Sequence, residues 1–588
     1  MLKIFKYLKT KEWLFILACL FFIVIQVWLD LKMPDYMTEI TTLVQTEGSQ
    51  MSEIWTAGAW MLACAFGSML SSIITGFFAA RVAASLSKEL RQELFYKTLS
   101  FSMEEINGFS TASLITRSTN DITQIQQTVA MGLQVMVKAP ILAVWAILKI
   151  IQKSWQWTAA TGAAVFFLLI MIAFLITFVM PRFKKIQKLT DKLNLITREN
   201  LTGIRVVRAY NAENYQEEKF DKANVDLTNT NLFVNRTMAV MHPGMSLVQQ
   251  GLTLAVYWIG AGLINNSVEM ADKMTLFSDM VVFSSYAMQV IMAFMLLAMI
   301  FIMIPRASVS AERINEVLGT KLSILPGEID GSDTKLQGTI ELRNVAFKYP
   351  DAEEYVLKDI TFTARRGETV AFIGSTGSGK STLLNLIPRF YDATEGEVLV
   401  DGINVKEYTQ KSLNNKLGYI PQRATLFSGT VSSNVAYGEN GKTPPTEDDI
   451  KKAVEVAQGT EFIEKMDGKY EASIAQGGTN ISGGQKQRLA IARAICRKPE
   501  IFLFDDSFSA LDYKTDRQLR NILKKETADS TKLIVAQRIG TIKDADKIIV
   551  LDEGIMVGMG KHQELLKTCT TYQEIAYSQL SKEELANG

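Results

Sequence analysis

A glycine-rich stretch in the second half of the chain carries the clearest chemical signal. Its residues, Gly374-Ser-Thr-Gly-Ser-Gly-Lys380-Ser381, fit the pattern G-x-x-x-x-G-K-[ST] of a phosphate-binding loop. In such a loop the backbone N–H groups point at phosphate oxygens, Lys380 reaches the β- and γ-phosphates, and the Ser381 hydroxyl can bind Mg²⁺. The expected nucleotide-binding residues here are Gly374, Ser375, Thr376, Gly377, Ser378, Gly379, Lys380, Ser381 and Thr382.

The segments on either side of this loop predict the elements that position it. Residues 368–374 form an apolar run typical of a buried strand, and residues 381–387 predict a helix. A second buried strand is predicted at 501–505, where the apolar run ends in Asp505. A carboxylate at the end of a strand, downstream of a phosphate-binding loop, is typical of the Walker B pattern, in which Asp505 holds the Mg²⁺ shell.

A third motif occupies residues 480–488 and includes Ser482, Gly483, Gly484 and Gln485. It precedes a predicted helix, and the free N–H groups at a helix N-terminus form an anion site. Taken alone, this pattern favours a helix cap with a flexible turn over a ligand site.

Composition indicates a membrane protein. Hydrophobic residues make up 48% of the 588 residues, and the net charge of +1 gives no indication of a nucleic-acid partner. The 4 cysteines are isolated and there are only 2 histidines, which fits neither a metal cluster nor a disulfide framework. Long apolar segments, each near the roughly 20 residues that a bilayer requires, predict six membrane spans at 13–33, 54–80, 128–152, 155–180, 243–264 and 277–304.

The charge distribution predicts the orientation of these spans. The segment 34–53 carries four acidic residues and no Lys or Arg, whereas the linkers 81–127 and 181–242 are rich in both. Because positive charge stays on the inner side, the linkers and both termini are expected in the cytoplasm of a cell-membrane protein with several spans. Both linkers are poor in Gly and Pro, so the spans are expected to continue as helices, with reversals near 107–112 and 201–212.

The composition changes after Pro305 and predicts two domains. We expect a polytopic α-helical membrane domain at 1–320, a linker at 321–338, and an α/β domain with a phosphate-binding loop at 339–588, where strands and helices alternate. A chain with six spans and a single ATPase domain is expected to need a partner.

The third motif, with the other segments around it, resembles a known family. Ile481-Ser-Gly-Gly-Gln485 is similar to the signature motif of ABC transporters, which usually begins with Leu. Further segments resemble that family's adenine-stacking aromatic (Tyr349), its Q-loop glutamine (Gln422), its D-loop (509–512) and its two intracellular loops (110–121 and 199–213). Six spans followed by one ATPase domain is the layout of a half-transporter in that family.

The resemblance implies a pair of ATPase domains in head-to-tail contact. Each ATP, with Mg²⁺ held by Ser381, Gln422 and Asp505, would lie between the phosphate-binding loop of one domain and the signature of the other. The signature residues Ser482, Gly483, Gly484 and Gln485 would therefore serve the partner's ATP.

Two positions depart from the family pattern, and both belong to the same site. Asp506 stands where the family usually has the Glu that positions or deprotonates water, and Gln537 stands where it usually has His. Asp is one methylene shorter than Glu, and Gln cannot carry a proton at neutral pH. Neutral drift is the alternative for either change alone. Together they favour a site that binds ATP and Mg²⁺ through Tyr349, Lys380, Ser381 and Asp505 but hydrolyses slowly, with Asp506, Gln537 and Gln422 as its catalytic positions.

The resemblance is thus to the degenerate-site subunit of a bacterial heterodimeric multidrug exporter. The expected partner is a second half-transporter with the usual Glu and His, and the expected substrates are small amphipathic compounds reached among membrane lipids. Export of a lipid or peptide, and a nucleotide-gated sensor, remain alternatives. In the last span, Met288, Met292, Met295, Met299 and Met303 share one helical face that either lines a substrate path or fills gaps between helices. Lys138 inside the third span is expected to reach lipid headgroups or a wet cavity.

Overall fold

The computed structural model of the chain describes residues 2–46, 48–151, 153–331, 334–350 and 352–579. The chain divides into two compact units. One unit contains Met1–Leu99 and Ala112–Thr320, and the other contains Ser100–Thr111 and Lys321–Gly588. The short segment Ser100–Thr111 therefore groups with the unit formed by the second half of the chain.

Helices dominate the first 320 residues. In chain order they are α1 (Thr10–Gln45), α2 (Met51–Leu99), α3 (Met103–Phe109), α4 (Thr111–Thr116), α5 (Ile122–Ile151), α6 (Trp155–Thr202), α7 (Ile204–Ala209), α8 (Glu213–Asn266) and α9 (Met270–Gly319). A 3-10 helix, Leu2–Tyr7, precedes α1, and a π-helical turn, Arg117–Asp121, joins α4 to α5. The short helices α3 and α7 lie at the two chain reversals that the sequence predicts.

Within the described residues, six helical segments are long and apolar enough to cross a membrane, by length and composition. The expected spans fall inside α1, α2, α5, α6, α8 and α9, except that residue 152 lies outside the described part of the chain. Large apolar side chains such as Phe21, Phe66 and Phe166 are exposed on these helices. Exposed apolar surface on helices whose backbone bonds are internal fits a lipid environment, and the predicted fold class of this half is confirmed.

Aromatic packing and ion pairs hold the helices of the first unit together. Trp157 is buried, its Nε1 donates to Val256 O at 3.1 Å, and its ring lies 5.3 Å from that of Phe283. Lys138 Nζ is 3.1 Å from Asp30 Oδ2, so Lys138 pairs with a carboxylate on α1. The expectation that Lys138 reaches lipid headgroups is therefore wrong, because a nearer counter-charge inside the bundle satisfies it, whereas a wet cavity beside this pair stays a prediction.

The second unit is built on a mixed β-sheet. Its strands are β1 (Ile340–Phe347), β2 (Leu357–Ala364), β3 (Thr369–Gly374), β4 (Glu395–Val400), β5 (Ile403–Asn404), β6 (Leu417–Ile420), β7 (Gly429–Thr430), β8 (Ser473–Ile474), β9 (Ile501–Asp505), β10 (Thr531–Val535), β11 (Lys547–Asp552) and β12 (Ile555–Gly560). Ten of them form one sheet in the order β5-β4-β1-β2-β12-β11-β3-β10-β9-β6, and β7 pairs with β8.

Helices cover this sheet. They are α10 (Lys380–Leu386), α11 (Gln410–Lys416), α12 (Val431–Val435), α13 (Glu447–Val456), α14 (Thr460–Glu464), α15 (Gly483–Cys496), α16 (Tyr513–Glu526), α17 (Ile539–Ile542), α18 (His562–Thr568) and α19 (Thr570–Gln579). The strands β11, β3, β10, β9 and β6 are parallel neighbours. Their carboxyl ends therefore meet at one edge, where an open α/β sheet binds ligands.

The sequence of the central strands explains their position. Strands β9 and β10 are buried along their whole length, as expected for parallel strands covered on both faces. Phe502 and Phe504 pack into the core on one face of the sheet, whereas Leu503 and Leu533 pack into the core on the other. The predicted α/β class of this half is confirmed.

The segment that follows α9 packs on the second unit. Ile329 N donates to Glu407 O at 2.9 Å, and Thr409 N donates to Ile329 O at 2.9 Å. A Cβ on Gly327 would lie 2.1 Å from Glu407 O, so a side chain there would exclude this contact. The segment expected as a linker at 321–338 is thus tied by backbone hydrogen bonds to the unit it precedes.

Candidate nucleotide-binding site

The glycine-rich loop joins the end of β3 to the start of α10. A Cβ on Gly374 would lie 1.9 Å from Leu551 O, which leaves space only for glycine where the strand turns into the loop. Gly379 caps α10 with a left-handed backbone, at φ 91°, a conformation that glycine adopts without strain. The loop therefore has the close backbone turn that a phosphate cradle needs.

Lys380 is folded over its own loop. Its Nζ donates to Gly374 O at 2.9 Å, to Ser375 O at 2.6 Å and to Ser378 Oγ at 3.1 Å. Burial lowers the pKa of the Lys380 ammonium below its ordinary value. A desolvated cation inside a ring of small residues fits a polyphosphate, because an anion there would compensate the charge that burial penalises.

Asp505 lies beside Ser381. The Ser381 hydroxyl donates to Asp505 Oδ1 at 2.6 Å, and burial raises the pKa of the Asp505 carboxyl. Both groups present oxygen, which Mg²⁺ prefers, and Mg²⁺ takes only one or two protein ligands beside phosphates and water. Among the described residues no group of three or more His, Cys, Asp or Glu side chains could hold a metal ion.

Asp506 is held between two glutamine amides. Its Oδ2 accepts from Gln537 Nε2 at 3.1 Å and, in a longer contact, from Gln422 Nε2 at 3.4 Å. The backbone of Asp506 is left-handed, at φ 45°, a conformation that Asp tolerates better than most residues. Burial raises the pKa of its carboxyl. Gln422, expected as a Mg²⁺ ligand, makes its side-chain hydrogen bond to Asp506.

Sequence reasoning missed the residue that holds Gln537 from behind. Gln579, at the end of α19, donates through Nε2 to Gln537 O at 2.8 Å and accepts from Ile539 N at 2.9 Å. The buried Tyr572 and Ala576 anchor α19 in the core. No local pattern marks Gln579, because its role depends on the packing of the C-terminal helix against α17.

Tyr349 sits next to the loop and belongs to an aromatic cluster. Its hydroxyl shares a hydrogen bond with Thr382 Oγ1 at 3.0 Å, and its ring lies 5.3 Å from that of Tyr391. Tyr391 OH accepts from Asn107 Nδ2 at 3.1 Å, and Asn107 lies on α3. The cluster therefore extends from the loop to the helix between α2 and α4, and neither Tyr391 nor Asn107 was predicted from the sequence.

The third motif caps α15. Ser482 Oγ accepts from Gln485 N at 3.3 Å, and Ser482 N donates to Gln485 Oε1 at 2.9 Å, which is a capping box. Ser482 and Gly483 are exposed. These hydrogen bonds join the motif's residues to one another. A separate set of hydrogen bonds, at the ends of β3, β6, β9 and β10, links Ser381 to Asp505 and links Asp506 to Gln422 and Gln537.

Comparison with known families decides the identity. The family model described as "ABC transporter" matches residues 357–509, and the model described as "ABC transporter transmembrane region" matches residues 16–309. The chain belongs to the ABC transporter family. It has the half-transporter organisation, with one membrane domain and one ATP-binding domain.

Whole-length relatives agree with this ABC transporter assignment. The chain is 41% identical to an uncharacterised ABC transporter ATP-binding protein of Mycobacterium tuberculosis, over 89% of this chain and 88% of the relative. It is 34% identical to the ABC transporter ATP-binding protein YfiB of Bacillus subtilis, over 91% of each chain. It is also 31% identical to the ATP-dependent lipid A-core flippase of Aromatoleum aromaticum, over 87% of this chain and 84% of the flippase.

A solved structure shares the fold of this ABC transporter. The structure of a bacterial Atm1-family ABC exporter with ATP bound matches with a TM-score of 0.79, at 23% identity, over 97% of this chain and 98% of that one. The match to the ABC transporter family implies that the second unit of this chain binds ATP.

Proposed function

We propose that this chain is one half of a heterodimeric ATP-driven exporter whose own nucleotide site binds ATP and Mg²⁺ but turns over slowly. The observation that carries the proposal is the position of Asp506 between the amides of Gln422 and Gln537. Asp506 and Gln537 are the two positions at which the chain departs from its family, and Gln422 is the expected Q-loop residue.

The binding half of the site is complete. Lys380, with the N–H groups of its loop, would hold the phosphates, Tyr349 would stack on the base, and Ser381 and Asp505 would hold Mg²⁺. When bound, Mg²⁺ would neutralise charge on the phosphate oxygens. The loop is already closed around Lys380 and Asp505 already meets Ser381, so ATP binding would require little rearrangement of these residues.

The water-handling half is weak for three reasons. Asp506 is one methylene shorter than Glu, and a displacement of about 1 Å can cost roughly 100-fold in rate. Its Oδ2 already accepts from Gln537 and Gln422, so this oxygen is occupied by amide donors and is not free to orient a water molecule. Gln537 donates hydrogen bonds but carries no exchangeable charge near neutral pH. Together these properties favour a site that retains ATP.

The signature motif supports a role in trans. Ser482 and Gly483 are exposed at the N-terminus of a fourteen-residue helix, α15. A separate apolar surface is also available to a partner, because the short helix α7 exposes Val206 and is followed by the exposed Tyr210. We infer that a second half-transporter, with Glu and His at the two departing positions, supplies the faster site that Ser482, Gly483, Gly484 and Gln485 complete.

We propose the following domain boundaries and membrane orientation for the chain. The membrane domain is 1–320, the linker is 321–338 and the ATPase domain is 339–588. Both termini face the cytoplasm of a bacterial cell, because the acidic segment 34–53 contrasts with the basic linkers 81–127 and 181–242. The bacterial relatives support the cell membrane as the location.

The proposed substrates are small amphipathic compounds of the multidrug type. Met292 and Met299 are 52% and 41% exposed on α9, so this part of the methionine face is available to a flexible apolar contact, while Met295 packs against the core. Lipid transport is a second candidate, because several relatives at 30–32% identity are lipid A-core flippases. A peptide exporter and a nucleotide-gated sensor are the remaining alternatives.

ATP turnover by the purified chain tests the proposal. We expect the chain alone to bind ATP and Mg²⁺ but to hydrolyse it slowly, and to hydrolyse briskly once paired with a half-transporter that carries Glu and His. Brisk turnover by the lone chain, abolished in Asp506→Asn, would contradict the degenerate site. Uphill accumulation of a dye or of a fluorescent lipid in inverted vesicles then separates the two transport candidates from a sensor, which would accumulate neither.

A further inference from the structure

A cavity lies in the second unit, beside the parallel strands whose carboxyl ends carry the nucleotide-binding residues. It has a volume of about 110 Å³ and is bounded by α16, α17 and the strands β3, β9 and β10. Apolar side chains form one part of its lining: Phe504, Phe508, Leu523, Ile534, Ile542 and Ala545. A cavity of this size and character suits an aromatic ring or a short acyl chain.

The charged groups of the lining are unbalanced. Arg520, Lys524 and Lys532 line the cavity with a single carboxylate, that of Asp544. Arg520 is neutralised by Asp516, which holds its guanidinium at 2.9 and 3.1 Å. No ion pair joins Lys524 or Lys532 to a carboxylate of the described residues, so an excess of positive charge faces the cavity.

Lys532 is the unusual member of this set. The residue is only 5% exposed, and its Nζ donates to two backbone carbonyls, Thr527 O at 2.6 Å and Ser530 O at 2.9 Å. Burial lowers its pKa to about 8. The charge of Asp546 partly opposes this fall in pKa, but no described carboxylate forms an ion pair with the ammonium. An anion brought into the adjacent cavity would offset the remaining cost of burying the charge.

A larger cavity in the same unit serves as a comparison. It has a volume of about 300 Å³, and its charged lining residues are Asp449, Lys452, Lys498 and Glu526. These form two ion pairs, Lys498 with Asp449 and Lys452 with Glu526. The charges that line this larger cavity therefore balance one another, and its greater volume does not make it a site for an anion. The smaller cavity differs because it combines an apolar lining with lysines that form no ion pair to a described carboxylate.

We propose that the smaller cavity is a binding site for a small amphipathic carboxylate, with the apolar group against Phe504 and Phe508 and the carboxylate directed to Lys532 and Lys524. Neither family membership nor the nucleotide site predicts this ligand. The proposal does not depend on the direction of transport or on the rate of ATP hydrolysis, because the cavity lies outside the phosphate-binding loop.

The position of the cavity links it to the segments that carry Asp506 and Gln537. Phe508 lies two residues after Asp506, and Thr541 and Ile542 belong to α17, which follows Gln537. Arg520, in the lining, donates to Thr541 O at 3.2 Å. A bound carboxylate would therefore contact the segments that carry both departing residues and would restrain α17.

Binding of 4-fluorobenzoate to the full chain in phosphatidylcholine nanodiscs, followed by ¹⁹F NMR, tests the proposal. We expect saturable binding at one site with a Kd of about 1 mM or tighter, as the small number of ligand atoms allows. The uncharged 4-fluorobenzamide should bind at least 10-fold more weakly. Its signal also serves as the control for partition of the aromatic ring into lipid. Hydrogen exchange of residues 539–545 should slow when benzoate binds.

Variants assign the site. Lys532→Gln and the cavity-filling Ala545→Phe should each weaken benzoate binding by at least 10-fold, whereas Lys525→Gln, at an exposed position of α16 outside the lining, should leave it within 2-fold. If Lys532→Gln lowers the yield of folded protein, Ala545→Phe decides the matter. Equal binding of benzoate and benzamide, or undiminished binding by Ala545→Phe, would overturn the proposal whatever the outcome of the turnover experiments.

Discussion

Gln537 Nε2 donates a hydrogen bond to Asp506 Oδ2 at 3.1 Å. The two residues follow neighbouring parallel strands, β10 and β9, in which Val535 lies opposite Asp505. The register of this pair therefore brings both departures from the family pattern into direct contact. Their effects on hydrolysis are expected to be coupled, since each side chain fixes the other.

The first prediction concerns this pair. The double variant Asp506→Glu/Gln537→His should raise ATP turnover by the lone chain about 10- to 100-fold, because it restores the reach of the carboxylate and a titratable partner. Steady-state phosphate release measures it. On a logarithmic scale of turnover rate, each single variant should gain less than half of the increase shown by the double variant. The reason is that the unchanged residue of the pair does not match the new side chain. A double variant no faster than the parent chain would mean that another step limits turnover.

The second prediction concerns the clamp formed by Gln579. Gln579→Ala removes hydrogen bonds to Gln537 O and Ile539 N, each worth about 1 kcal/mol. Hydrogen exchange of residues 537–542 should become about 5- to 10-fold faster, with ATP affinity within 2-fold of the parent. Gln573→Ala is the matched control, because Gln573 on the same helix donates to Leu566 O. Equal rates of hydrogen exchange at residues 537–542 in Gln579→Ala and Gln573→Ala would show that Gln579 does not hold this segment.

The third prediction concerns the ion pair inside the membrane domain. Asp30→Asn leaves Lys138 without its counter-charge, and also weakens the hydrogen bond that Ser68 donates to Asp30 at 2.5 Å. Breaking a buried pair on one side costs about 3–5 kcal/mol, and this partly exposed pair should cost about 1–3. We expect a lower Tm in detergent, measured by intrinsic fluorescence.

The double variant Asp30→Asn/Lys138→Met provides the control for that effect. It removes the unpaired cation and should recover at least half of the lost stability, which a cycle of the four proteins quantifies. Lys465→Met, which breaks an exposed pair with Glu461 on α14, should leave the Tm unchanged. A Tm of Asp30→Asn equal to that of the parent would show that the pair does not stabilise the bundle.

The fourth prediction concerns the aromatic cluster beside the phosphate-binding loop. Tyr391→Phe keeps the ring against Tyr349 but removes the hydroxyl that accepts from Asn107. It should leave the Kd for ATP within 2-fold and should speed hydrogen exchange in α3. Tyr391→Ala also removes the ring and should weaken ATP binding about 5- to 10-fold, consistent with an aromatic pair worth about 1 kcal/mol. Nucleotide fluorescence titration separates the two, and equal Kd values for both variants would contradict this division of roles.

Local patterns in the sequence were sufficient for the parts of the protein that depend on neighbouring residues. The spacing of glycines around Lys380, the apolar run that ends in Asp505 and the lengths of six apolar segments predict the loop, the buried strand and the spans. Each depends on backbone conformation or burial over fewer than about 30 residues, which is the range in which periodicity and turn chemistry act. The departures at Asp506 and Gln537 were also visible, because they are fixed by their distance from those motifs.

Only the tertiary structure decided which side chains meet. Gln422 reaches Asp506 across 84 residues of sequence, Gln579 reaches Gln537 across 42, and Lys138 finds Asp30 across 108. These contacts depend on strand order, register and helix packing, which a hydrophobic pattern does not encode. The same reason explains why the sequence left Lys138 to lipid headgroups or a wet cavity. It also explains why the position of Lys532 beside an apolar cavity, without an ion pair to a described carboxylate, could not be seen in the sequence.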